Sequence, residues 1–365
     1  MTQDWGQVYW RWLTEAALPL WADAGTDRVR GGFHEGLDHQ GNPLPVARRA
    51  RVQGRQSFVF AHAGKLGWDG PWREIAPHGL GHLDRHYRRD DGLYATLADA
   101  DGGVIDATAM TYDQAFVLLA AAALHEHRMG PGEDFALRLL ASIEGARRHA
   151  GGGFAEADGR FLSNPHMHLF EAALAWAEAG RDPRWDALAA QMVALALKAF
   201  VDPATGGLRE VFAADWSPAP GAEGDMAEPG HQFEWAWLLE RWALRKGDDA
   251  AHRAALGLFA SGTRGVDRVR NVALDETDLE GRPRRATARL WPQTERLKAA
   301  LLLRQEDEAR EAARGLWQYL ETPVPGLWRD RMRQDGGFVE EPAPASSLYH
   351  IICAVAALKQ HGTLT

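Results

Sequence analysis

Histidine titrates closer to neutrality than any other side chain, so a histidine set at the start of a helix beside a carboxylate is a candidate proton carrier. In Glu228-Pro229-Gly230-His231-Gln232-Phe233-Glu234-Trp235 the Pro-Gly pair ends a loop and His231 begins a helix, which places His231 and Glu234, at i and i+3, on one face. A carboxylate there raises the basicity of the ring and can fix its orientation, as general acid–base catalysis needs. The segment also reads as a helix cap with a structural His–Glu pair. A second histidine, His350, lies about one turn into the last helix, after Ser346-Ser347-Leu348-Tyr349 and before the apolar Ile351-Ile352-Cys353. On such a face a hydrogen-bonded core histidine is the plain alternative.

Four further helix starts carry polar groups. Ser163-Asn164-Pro165-His166-Met167-His168 suggests Asn164 as N-cap and Pro165 as the first helical residue. His166 and His168 have the H-x-H spacing of metal ligands, but residues two apart on a helix point about 200° apart. Only one of them can face inward, and no metal is expected. In Arg51-Val52-Gln53-Gly54-Arg55-Gln56 an inward Arg55 offers a charged donor fork to oxygen atoms. Tyr112 follows Thr111 near the start of another helix, and Trp291 precedes Pro292-Gln293-Thr294-Glu295, where it could serve as a hydrophobic staple. Phosphate loops, the dinucleotide fingerprint, the G-x-S-x-G elbow and H-E-x-x-H are all absent from the sequence.

These residues must be positioned by helices. Helix-period apolar patterns predict twelve, at about 5–24, 52–67, 71–89, 107–128, 132–149, 165–180, 182–200, 230–246, 248–263, 289–304, 306–321 and 345–361. Short links such as Gly130-Pro131-Gly132 alternate with long, glycine-rich ones expected to hold short strands or turns. Six hairpins in series could form an open solenoid or close into an (α/α)6 barrel. Closure is favoured, because the candidate residues fall near the starts of even-numbered helices, which converge at one mouth only in a closed double ring. We expect residues 1–365 to form a single all-α catalytic domain of this kind.

Composition narrows the partners. Fifty acidic against 41 basic residues leave a net charge of −9, which repels nucleic acid and anionic membranes. One cysteine, Cys353, forbids an internal disulfide and a thiolate cluster. With no basic-then-apolar leader and no apolar run long enough to span a bilayer, the expected location is cytoplasmic. Fifteen tryptophans suit both sugar faces and a thick helical core. Scattered Leu, Ala and Trp on outer helices could form a homodimer face or simply pack the two rings.

Taken together, Arg55-Gln56, Tyr112-Asp113-Gln114-Ala115-Phe116, Asn164-Pro165-His166-Met167-His168, the Pro-Gly-His-Gln-Phe-Glu-Trp string, Arg289-Leu290-Trp291-Pro292-Gln293-Thr294-Glu295 and Tyr349-His350 resemble the N-acylglucosamine 2-epimerase superfamily over nearly the whole chain. The resemblance implies an (α/α)6 barrel and metal-independent chemistry at C1 and C2 of an aldose. Within it the P-G-H-x-F-E-W and W-P-Q-T-E strings look like the aldose–ketose isomerase branch, which includes mannose isomerase; the 2-epimerase branch tends to carry histidine where Gln293 stands. By the same resemblance His231 and His350 are the acid–base pair, Glu234 the partner of the first, and Arg55 a donor to the reacting oxygens, while Tyr112, Asn164, His168, Trp291 and Gln293 line the substrate.

The implied reaction opens the ring of a monosaccharide, removes the C2 proton and returns a proton to C1 through a cis-enediol. No electrons leave the sugar, so no cofactor is required. The alternatives are a 2-epimerase, a sugar-6-phosphate isomerase, a glycoside hydrolase using two of Glu171, Glu234 and Glu295, and a non-catalytic sugar binder.

Overall fold

The computed structural model describes residues 4–364, and these gather into two compact units. One comprises residues 18–192 with 344–349; the other comprises the residues up to 17, 193–343 and those from 350 onward.

Helix α1 (Trp5–Trp12) loosens into a π-helical stretch, Leu13–Ala17, and resumes as α2 (Leu18–Asp23). Pro19 has no N–H and its ring crowds the carbonyl four residues back, at Glu15, which accounts for the widened turn. The residue 18–192 unit then runs α3 (Ala50–Leu66), α4 (Trp72–Ile75), α5 (Pro77–His86), α6 (Thr111–Glu126), α7 (Glu133–Arg147) and α8 (Ser163–Ala179). The one helix expected over 71–89 is two, because Pro77 cannot continue a helix and opens a new one at its first position. Helix α3 packs on α5 and α6, and α6 on α8. Gly54 makes the contact between α3 and α6 possible, since a Cβ there would meet the Phe116 carbonyl oxygen at 2.6 Å.

Helix α9 (Arg184–Leu195), with a second π-helical stretch over Ala196–Phe200, leads into the other unit. There follow α10 (Pro229–Lys246), α11 (Asp249–Arg264), α12 (Leu290–Leu302), α13 (Glu306–Leu320) and α14 (Ser346–His361), the last of which begins in the first unit. Helix α10 packs on α11 and α12, and α12 on α13. Eleven of the thirteen residues of α12 are buried against seven of fifteen in α13, so α12 is sheathed on all sides while α13 covers it with one apolar face. Among the described residues no helix is long and apolar enough to cross a membrane.

The long links contain the expected short strands. Arg48–Arg49, Leu97–Ala98 and Val104–Asp106 form an antiparallel sheet in one unit; Met226–Ala227, Glu276–Asp278 and Pro283–Arg285 form another in the second. Five links are clamped to a helix start by the fourth helical residue. The Gln53 amide accepts from Phe33 N and donates to Phe33 O at 2.7 and 2.8 Å, Gln114 holds Tyr94 at 2.9 and 2.8 Å, Gln232 holds Leu208 at 2.7 and 3.0 Å, and Gln293 holds Ala273 at 2.7 and 2.9 Å. In α8 the place is taken by His166, whose Nε2 accepts from Phe154 N at 2.9 Å and whose Nδ1 donates to Leu162 O at 2.8 Å. These buried bonds satisfy backbone groups that a loop would otherwise leave unpaired.

Candidate active site

Because the fourth residue is turned outward to its link, the second and sixth residues share a different face of each helix. That face carries Arg51 and Arg55 on α3, Tyr112 and Phe116 on α6, Asn164 and His168 on α8, Glu234 on α10, and Trp291 and Glu295 on α12.

In the unit built on α10 and α12, the Nδ1–H of His231 donates to Glu210 Oε2 at 3.1 Å. Glu210 precedes the strand Val211–Phe212, and its other oxygen accepts from the Glu228 backbone N–H at 3.4 Å. Burial favours the neutral ring of His231, but the carboxylates of Glu210 and Glu228, the hydrogen bond to Glu210 and the more distant Glu234 outweigh it and push the pKa up to about 9. Glu228 is held at 3.1 Å by Arg289, which also donates to Asp275 at 3.3 Å. Glu234 therefore raises the basicity of His231 as expected, by charge, but does not orient it; the ring turns back to a carboxylate from the preceding link.

His350 has its own carboxylate. Its Nδ1 lies 2.9 Å from Glu295 Oε1, and Glu295 Oε2 accepts from Lys298 Nζ at 2.7 Å. Glu295 and Lys298 have no exposed surface. Burial works against ionisation of Glu295, yet the Lys298 ammonium and the His350 N–H hold its carboxyl below the usual range. The indole of Trp291 lies between the two systems, with ring centroids 5.1 Å from His231 and 5.7 Å from His350. Gly230 makes room for it, since a Cβ there would come within 2.4 Å of that indole. The second-residue place of Trp291, with Pro292 inside the first turn and not at its start, makes it a wall of the site and not a staple.

In the other unit, Arg55 Nη2 donates to the Tyr112 hydroxyl at 2.7 Å, with the guanidinium 4.2 Å above the Phe116 ring and 5.1 Å from Tyr349. Its Nε is buried without a hydrogen-bond partner among the described residues, and no carboxylate there pairs with it. The Tyr349 hydroxyl donates to Glu171, and His168 Nδ1 lies 3.5 Å from the same carboxylate with its ring against Tyr112 and Phe116 at 4.9 and 4.6 Å. His166, committed to the clamp and pulled down to about 4 by burial, faces away, so the H-x-H pair splits as expected.

Two expectations change. Asn164 is not the N-cap of α8: Leu162 holds that place in extended backbone, and Asn164 is the second helical residue, with a buried Oδ1 that has no partner among the described residues. Gln293, expected to line the substrate, spends its amide on Ala273 and on the Arg289 carbonyl at 2.8 Å. Since His166 performs the same task in α8, a Gln or His at that place reports link anchoring, and the use of Gln293 to separate isomerase from epimerase falls.

Side-chain atoms of Glu234, Glu295 and His350 lie within 4.8 Å of one another, a spacing that could ligate a divalent cation. Such an ion would have to displace the Lys298 ammonium and the His350 N–H from Glu295. Sequence reasoning missed Glu210 and Lys298. The first lies in a link with no motif, and the second reads as a solvated mid-helix lysine.

A family model described as N-acylglucosamine 2-epimerase (GlcNAc 2-epimerase) matches residues 31–354. A mannose-6-phosphate isomerase of Rhizobium meliloti (strain 1021) is 46% identical over 367 residues, covering 95% of each chain. A D-mannose isomerase of Thermobifida fusca is 28% identical over 371 residues, covering 88% of each. A crystal structure of D-mannose isomerase superposes with a TM-score of 0.87 at 20% identity, covering 97% of both chains. The fold is therefore of the expected all-α (α/α)6 class.

Proposed function

Because the chain belongs to the N-acylglucosamine 2-epimerase family, and so is an enzyme of the isomerase and epimerase type, we propose that it interconverts an aldose of mannose configuration and the corresponding ketose, D-mannose and D-fructose in the simplest case, without metal or cofactor. The observation that carries this reading is the pair of buried imidazoles flanking Trp291, each hydrogen-bonded to its own carboxylate. The isomerase names of the 46% and 28% relatives support it over 2-epimerisation.

The two rings differ in their charged surroundings. His231, with three carboxylates acting on it, carries its proton at neutral pH and supplies an acid to the ring oxygen during opening. His350 faces a carboxylate already balanced by an ammonium, so it is suited to take the C2 proton and return it to C1 on the same face. A base on one face suffices for aldose–ketose transfer, whereas 2-epimerisation needs delivery to the other face. Arg55, with an unused N–H, is suited to the negative charge of an enediolate. Tyr112, Asn164, His168 and Trp291 are the proposed sugar contacts.

The test incubates D-mannose with pure protein and EDTA in deuterated water. Fructose with deuterium at C1 supports the reading, and neither product nor exchange at C2 sinks it. The 46% relative favours a second reading in which the sugar carries a 6-phosphate. Comparing kcat/KM for mannose and mannose 6-phosphate decides between them, and glucose as the first product would instead indicate epimerisation.

A further inference from the structure

A lysine with no exposed surface keeps its charge only where a counter-charge is fixed beside it. Lys298 meets that condition: Nζ is 2.7 Å from Glu295 Oε2, one turn back on α12, and 4.0 Å from the ring of Trp237 on α10. Glu295 spends its other oxygen on His350 Nδ1 at 2.9 Å, and the Thr294 hydroxyl lies 3.4 Å from that oxygen. Charged groups of this unit near His350 include Glu295 and Lys298 from α12, Glu234 from α10 with an oxygen within 4.8 Å, and His231 across Trp291. Sugar chemistry needs none of these methylenes to carry an amine. An apolar side chain would fill the same buried space, so the ammonium calls for its own explanation.

We propose that Lys298, ion-paired to Glu295, is a positioning residue that sets how tightly His350 binds the proton it moves. This rests on the acid–base role given above to His350. With Lys298 cationic and Glu295 anionic, the neutral imidazole completes a balanced set and can act as a base near neutrality. Remove the ammonium and the same carboxylate is a buried negative charge against one ring. A proton then enters the Glu295–His350 pair more readily, whichever of the two carries it. The base would be blocked at the pH where the enzyme should work.

The test is Lys298→Met in the full-length chain, read two ways. The first is the pH dependence of kcat/KM. The second is the nitrogen NMR titration of His350 in histidine-labelled protein, assigned by loss of its signals in His350→Gln. The expected result is an upward shift of the acid limb and of the His350 titration on the order of one pH unit or more. On the plateau KM should stay within about twofold of wild type, and Lys298→Arg should restore the wild-type profile. Should Lys298→Met fail to fold, Glu295→Gln and Glu295→Gln/Lys298→Met give the same comparison with no buried carboxylate, the ring titrating higher in the double variant. A His350 titration unmoved by loss of Lys298 in both comparisons, or a rate lowered equally at every pH, overturns the proposal. A wild-type protein that isomerises no aldose ends the functional reading, and the NMR titration still decides on Lys298.

Discussion

His231 and Glu210 are joined by a 3.1 Å hydrogen bond although 21 residues separate them in the chain. Glu210→Gln removes the strongest of the charges that raise His231 and should bring its pKa down from about 9 toward the ordinary histidine value. If His231 acts as the acid, the alkaline limb of kcat should fall by about one pH unit or more, read from a pH–rate profile.

The same bond predicts a stability trend. A ring whose folded pKa lies above its unfolded value near 6.5 contributes stability that is fully present below about pH 6.5 and is lost as pH rises through about 9. The difference in unfolding free energy between wild type and Glu210→Gln should be largest near pH 6, up to about 3 kcal/mol, and should close by pH 10. A gap that widens with pH would contradict the assignment of charge to His231.

The division of labour between the rings can be separated with substrates. His350→Asn should lower exchange at C2 by roughly 10²- to 10⁴-fold for any aldose. His231→Asn should slow mannose comparably but leave exchange of glyceraldehyde, which cannot close a ring, within about tenfold of wild type. A carboxylate-only hydrolase would keep most of its activity in both variants.

Gln293→Leu should act on folding and not on substrate. It strands the Ala273 backbone groups, so a loss of roughly 2 kcal/mol or more in denaturant unfolding is expected, with KM changing less than about threefold. A large rise in KM at unchanged stability would return Gln293 to the sugar-binding set.

Gly230→Ala tests the indole wall. A methyl at that position meets Trp291 at 2.4 Å and Pro292 at 3.0 Å, so the ring must move between the two histidines. We expect kcat to fall about tenfold or more, with an altered tryptophan fluorescence spectrum and a smaller change in unfolding midpoint than Gln293→Leu produces.

Much of this architecture was legible in the chain because helix-period patterns and Pro-Gly punctuation are local signals. The widened turn near Pro19 was not, since it depends on how one ring fits a particular carbonyl, and the split at Pro77 was hidden by an apolar pattern that runs on across it. The two histidines, Arg55 and Tyr112 stood out by type and place. Their partners were harder to find. His231 and Glu234 have ideal helical spacing, yet the ring prefers Glu210, a residue that only the folding of the preceding link brings near. Lys298 looks in sequence like any amphipathic-helix lysine; only the burial of α12 on every side distinguishes it.

The clamp at the fourth residue of five helices has an evolutionary consequence. Anchoring and reactivity occupy separate sides of the same opening turn, so a lineage can exchange its sugar-facing groups without loosening the hinge of the loop above them. Divergent specificities can then arise on an unaltered frame, each start of helix acting as an independently editable slot.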